Sequence, residues 1–131
     1  MSQETWNLLQ GVVRTVVAVA FLGAGVLHFL PGPQRTMAAI IPPRLRFRGP
    51  LNPVSLVVFT GLCEVFGGLG LLLPGTRLAA GVALAVFLVA VFPANAYAAR
   101  HPERFGRLAI PFWPRLVAQL VMITLVLLSV I

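Results

Sequence analysis

The sequence has little charge and few of the residues that carry chemistry in soluble enzymes. It contains no lysine, no aspartate and one cysteine, and only 10% of its 131 residues are charged, compared with ~25% in a typical soluble domain. The lone Cys63 excludes an intrachain disulfide, a CxxC redox pair and a cysteine-based zinc site. Single histidines far apart in the chain, among scattered carboxylates, fall short of a metal set, so we expect no metal, and no residue pattern points to a flavin.

Apolar residues, in contrast, are abundant. They make up 59% of the chain, and the mean hydropathy is +0.96, so the chain needs a lipid solvent. At ~20 apolar residues per span, the length allows four crossings with short connections. We therefore predict an all-α, polytopic membrane protein, in which residues 1–131 form one domain, an antiparallel four-transmembrane-helix bundle.

Prolines and glycines divide the chain into its predicted helices, which cover about residues 6–30, 53–73, 77–99 and 112–131. Pro31-Gly32-Pro33 ends the first helix, because proline removes a backbone donor. Asn52 followed by Pro53 is typical of an N-cap and a first helical position. Thr76 is the predicted N-cap of the third helix. Residues 31–52 hold five prolines, and we expect them to form an ordered, basic connection that covers one end of the bundle.

The ten basic residues are all arginines and lie mainly between the apolar runs. The first and third connections carry most of them, whereas the second has only Arg77. This positive-inside asymmetry explains the net charge without a nucleic-acid partner. We predict a bacterial inner-membrane location with the connections between helices 1 and 2 and between helices 3 and 4 cytoplasmic, and both termini outside.

Each predicted helix carries one conspicuous polar side chain. In chain order these are His28, Glu64, Asn95 and Gln119. The directions of the helices place all of them in one half of the bundle. A carboxylate in hydrocarbon costs ~2.5–3.5 kcal/mol, so Glu64 should face the interior and have a partner. Arg115 lies one turn from Gln119 and could extend toward Glu64, so we predict one ligand-binding cluster of these five side chains.

Structural roles stay open for the same residues. His28 could simply bond a carbonyl of the connection, Asn95 could satisfy the carbonyl freed by Pro93, and Gln119 could join two helices. Gly61, Gly67 and Gly68 flank Glu64, and they either leave space beside the carboxylate or let helices approach closely.

The order of several short motifs resembles the DoxX family of small four-helix membrane proteins, over about residues 15–120. These motifs are Gly25-x-x-His28-Phe29, Ile41-Pro42-Pro43, Gly61-x-x-Glu64-x-x-Gly67-Gly68, Leu71-Leu72-Leu73-Pro74 with Arg77, and Phe92-Pro93-Ala94-Asn95. The family takes its name from a subunit of a thiosulfate:quinone oxidoreductase. Some relatives are linked to oxidative stress, and distant eukaryotic relatives act in receptor assembly and in sterol or lipid handling. The resemblance therefore implies a link to membrane redox systems.

Two functions follow from these expectations. In the first, an intramembrane pocket binds a quinone-like or other amphipathic small molecule, as an accessory to a membrane redox system. In the second, the protein is a non-enzymatic assembly, chaperone or lipid-binding protein that packs against a membrane-protein partner or a second copy through its small-residue faces. The sequence leaves open whether any reaction is catalysed.

Overall fold

The computed structural model describes residues 1–105 and 110–131, apart from the side chains of Pro102 and Phe105. Arg107, one of the arginines between predicted helices 3 and 4, lies outside the described residues. The described residues form helices and no strand. The helices are α1 (Gln3–Leu27), α2 (Pro31–Ala39), α3 (Pro53–Leu72), α4 (Arg77–Arg100), α5 (Pro102–Phe105) and α6 (Phe112–Leu128), with single 3₁₀ turns at Pro43–Leu45 and Gly49–Leu51.

Three of these helices, α1, α3 and α4, are long and apolar enough to cross a membrane, which fits a membrane protein. The helix α6 is apolar but shorter, with 17 residues. Large apolar side chains lie on the outer surface, and Phe59 and Phe66 of α3 are 63% and 66% exposed. A surface of this kind is unfavourable in water and suits lipid.

Local chemistry explains where the helices begin and end. Asn52 accepts a hydrogen bond from the Ser55 amide at 3.0 Å, so it caps α3 as the sequence predicts. Thr76 precedes α4, and its hydroxyl donates to the Gly70 carbonyl at 2.9 Å and makes no side-chain cap hydrogen bond on α4. Thr76 is still the N-cap residue of α4, as predicted, although its hydroxyl bonds the end of α3.

The prolines at residues 31–33 do end α1, but they also open a helix that we did not predict. Proline is compatible with the first turn of a helix, where no intrahelical amide donor is needed. The resulting α2 packs on α3 through Ala38, which forms a buried cluster with Val57 and with Ile41 of the following segment. Gln34 of α2 donates to the His28 carbonyl at 2.9 Å, which ties α2 to the end of α1.

The long helices pack in sequence, α1 on α3, α3 on α4 and α4 on α6, and α1 also touches α6. A core of Val17, Phe21, Leu71, Leu84 and Val126 joins all four. The hydrogen bonds between α1 and the end of α6 lie at the end away from α2, where Gln10 donates to the Leu128 carbonyl and Arg14 to the Ser129 carbonyl, each at 2.9 Å. These bonds hold α1 and the end of α6 together here, and we call this the closed end.

Candidate functional site: an amphipathic cavity

A cavity of about 790 Å³ lies at the other end of the helices, beneath α2. Most of its wall is apolar and comes from α2, α3 and α4, including Met37, Ile40, Val57, Phe87 and Val91. Four polar side chains of the predicted cluster also line it, namely His28, Glu64, Asn95 and Arg115. The structure thus brings four of the five predicted site residues into one cavity.

The first polar pair joins α1 to α3. His28, the C-cap residue of α1, has its Nδ1 atom 3.2 Å from the Oε2 atom of Glu64. Both side chains are largely buried, with exposed fractions of 11% and 12%. Burial of a carboxylate without a partner is costly, so the imidazole is the natural neighbour for Glu64 at this depth.

The geometry leaves the carboxylate incompletely satisfied. His28 Nδ1 is closer to the Ala24 carbonyl, at 2.8 Å, than to Glu64. Because a carbonyl only accepts, Nδ1 carries the hydrogen and directs it at Ala24. Among the described residues, no donor forms a hydrogen bond with the buried Oε2 atom of Glu64. Burial of an acceptor without a hydrogen bond costs ~1–3 kcal/mol. The Oε2 atom of Glu64 can therefore still accept a hydrogen bond.

The second polar pair joins α4 to α6. Arg115 donates from Nη1 to Asn95 Oδ1 at 3.0 Å and from Nε to the Ile110 carbonyl at 2.8 Å. We had expected Arg115 to extend toward Glu64, but the described residues contain no such ion pair. Arg115 lies only three residues into α6, and it bonds the neighbouring α4 and the segment before its own helix.

Asn95 does not take the structural role considered above, in which its side chain would satisfy the carbonyl freed by Pro93. Its side-chain oxygen accepts from Arg115, and the described residues give it no bond to a carbonyl freed by Pro93. Gln119 is half-buried on α6, but it does not line the cavity. The position of Gln119 therefore does not support its inclusion in the polar cluster. The residue of α6 that belongs to a polar pair is Arg115, one turn closer to the start of the helix.

The sequence did not indicate how much of the wall comes from α2. Pro33, Thr36 and Met37 of this helix face the cavity, as does its C-cap residue Ile40. The signal was present in the proline at the first helical position. Thr60 of α3 lines the cavity as well, with its hydroxyl donating to the Val57 carbonyl at 2.9 Å.

The fold and cavity define an all-α protein with helices suited to a membrane and an amphipathic cavity between them. The chain belongs to the family described as "Domain of unknown function (DUF8561)", which matches residues 17–129. The matched region includes every residue of the cavity. No curated protein and no solved structure matches the chain.

Proposed function

We propose that this chain is a DoxX-like membrane protein whose cavity binds a quinone-like or other amphipathic small molecule, as an accessory to a membrane redox system. The observation that carries the proposal is the Glu64 Oε2 atom, which is buried in the wall of a large cavity without a hydrogen bond from the described residues. A ligand hydroxyl could donate to it. Such a contact would remove part of the cost of burying the carboxylate.

The two polar pairs offer different hydrogen-bonding groups. Since Asn95 Oδ1 accepts from Arg115, the amide nitrogen of Asn95 and the remaining guanidinium hydrogens are donors only. Glu64 on the facing pair is an acceptor when ionised. A ligand head group with an acceptor oxygen at one end and a hydroxyl at the other matches this arrangement. The reduced form of a quinone head group has a hydroxyl at each end, and a hydroxyl oxygen can accept as well as donate.

Size and polarity support an amphipathic ligand. Small-molecule pockets are typically ~300–1,000 Å³ and mostly apolar with a few polar groups, and this cavity of about 790 Å³ has that character. The apolar wall supplied by α2, α3 and α4 would hold a ring or chain. The role is accessory because one cysteine cannot complete a dithiol cycle, so a partner subunit would supply the redox centre.

The proposal includes α6 as a fourth span. Its 17 residues are at the lower limit of the ~17–25 residues that cross a bilayer, and it packs along α4. The arginine asymmetry then supports an orientation with the cavity end cytoplasmic in a bacterial inner membrane, and with both ends of the chain outside.

The alternative function, assembly of other membrane proteins through small-residue faces, needs those faces to be open. Several glycines instead pack against other helices of the same chain. A β-carbon on Gly67 would lie 2.5 Å from Leu84, and one on Gly81 would lie 2.6 Å from Val130. These close contacts bring α3 to α4 and α4 to the end of α6, which favours the ligand-binding function.

Mass spectrometry of small molecules that co-purify in mild detergent tests the proposal. We expect the native protein to retain an amphipathic molecule with a hydroxyl or carbonyl head group, and Glu64→Gln to retain at least tenfold less. The substitution keeps the shape of the side chain but removes the charged acceptor, so the fold should persist. It should also flatten the pH dependence of binding.

Glu4→Gln is the matched control, because Glu4 is exposed in the first turn of α1 at the other end of the protein. It should leave retention unchanged. A native protein that carries no small molecule but holds a stable protein partner would contradict the proposal and favour assembly.

A further inference from the structure

The connection between α1 and α3 exposes positive charge that nothing in the described chain neutralises. Arg35, Arg44 and Arg48 are exposed. Residues 31–52 contain no acidic side chain, and the ion pairs of the described residues are His28 with Glu64 and His101 with Glu103. These three guanidinium groups are therefore available to an external anion.

Arg46, which lies between Arg44 and Arg48, has a different role. It donates to the carbonyls of Ala38 and Ile41, at 2.8 Å and 3.3 Å, and so caps the end of α2. These bonds attach residues 44–48 to α2, which is itself packed on α3. The backbone that carries Arg44 and Arg48 is therefore held in place, which lowers the entropy cost of binding an anion.

Apolar side chains alternate with the arginines. Leu45, Phe47 and Leu51 are 38%, 48% and 58% exposed. Alternation of guanidinium groups with exposed leucine and phenylalanine suits the boundary between head groups and acyl chains, where both kinds of side chain are satisfied. An acidic protein surface would satisfy the charges but would leave the apolar groups without a matching environment.

We infer that residues 44–51, together with Arg35, form a binding surface for anionic phospholipids of the adjacent leaflet. The phosphate groups accept from Arg35, Arg44 and Arg48, and Phe47 and Leu51 enter the acyl region. Guanidinium groups bind phosphate oxygens through paired hydrogen bonds and stay charged at all physiological pH values. Leu45 of this surface also lines the ligand cavity, but the three arginines that contact phosphate do not, so the inference does not depend on what the cavity binds.

Native mass spectrometry of the delipidated full chain in detergent tests the inference, with phosphatidylglycerol and phosphatidylcholine of matched acyl chains as probes. We expect phosphatidylglycerol to bind more tightly. Each basic residue near an anionic leaflet contributes about fivefold in binding. Arg44→Gln combined with Arg48→Gln should therefore weaken phosphatidylglycerol binding by about tenfold or more, while phosphatidylcholine binding stays the same.

Arg77→Gln is the matched control, since Arg77 begins α4 at the opposite end of the helices, and it should change binding by less than twofold. Phe47→Ser should weaken binding of the whole lipid but not of glycerol phosphate, which lacks acyl chains. Equal binding of the two lipids would overturn the inference. If the double variant still preferred phosphatidylglycerol to the same degree, the inference would also be overturned. An acidic protein surface would then be the better partner for these arginines.

Discussion

Gly61 of α3 lies directly against His28 of α1. A β-carbon built on Gly61 would lie 2.6 Å from the His28 β-carbon and 3.1 Å from its Cγ atom. Because Gly61 has no side chain, the two helices come close enough here for Glu64, three residues further along α3, to lie 3.2 Å from the imidazole. The glycine therefore controls the first polar pair of the cavity, although it does not line the cavity itself.

Gly61→Ala should consequently destabilise the protein and disturb this pair. The added methyl group cannot be accommodated unless α1 and α3 separate, and overpacking of this kind typically costs ~1–3 kcal/mol. We expect a lower thermal unfolding temperature in detergent and weaker ligand retention. Gly23→Ala is the control, because a β-carbon there would have nothing within 4 Å, and alanine is the better helix former. Equal stability of the two variants would show that α1 and α3 are not closely packed at Gly61.

Arg115→Gln should weaken ligand binding by tenfold to a hundredfold, as measured by titration of the purified protein with a quinone analogue. Hydrogen bonds to charged groups contribute ~1.5–3 kcal/mol, and Arg115 both orients Asn95 and offers its own donors to the cavity. Arg14→Gln provides the comparison. Arg14 bonds the Ser129 carbonyl at the closed end, so its loss should lower stability without changing ligand affinity. Equal losses of affinity in both variants would rule out a local role for Arg115.

The connection between α1 and α3 should resist hydrogen exchange. The amides of Gln34, Leu45 and Asn52 donate to backbone carbonyls within it, which predicts slow exchange in detergent. Arg46→Gln should speed exchange near the end of α2 by removing the bonds to Ala38 and Ile41. Arg44→Gln is the matched control with no such bonds among the described residues, and it should leave exchange unchanged. Fast exchange throughout residues 31–52 of the native protein would show a loose linker instead.

Membrane orientation can be measured by cysteine labelling of intact cells after Cys63→Ser. Gly75→Cys, in the turn between α3 and α4, should react with an impermeant maleimide, because a β-carbon at Gly75 meets nothing within 4 Å. Glu103→Cys should react only after the cells are permeabilised, since the 66% exposed Glu103 side chain lies in a basic connection that we place in the cytoplasm. The reverse pattern would overturn the orientation and leave the helices as described.

Local signals accounted for much of the fold. Asn52 and Pro53 begin α3 as predicted, since an N-cap and a first-position proline act within a few residues. The α2 helix was missed because Pro31-Gly32-Pro33 ends one helix and begins the next, and a helix of 9 residues depends on packing for its stability. The depth argument predicted that His28, Glu64 and Asn95 lie in one half of the bundle, because position along an antiparallel helix follows directly from residue count, and all three line the cavity.

The sequence by itself determined that this chain is helical, that several of its helices suit a lipid environment and that His28, Glu64 and Asn95 lie toward the basic end. Run lengths, prolines and arginines are properties of short stretches, so they can be counted along the chain. Only the tertiary structure decided that Arg115 binds Asn95 while Glu64 lies beside His28, and that α2 forms one wall of the cavity. Such pairing depends on the rotation and separation of neighbouring helices, which are set by contacts such as Gly61 against His28, between residues far apart in the chain.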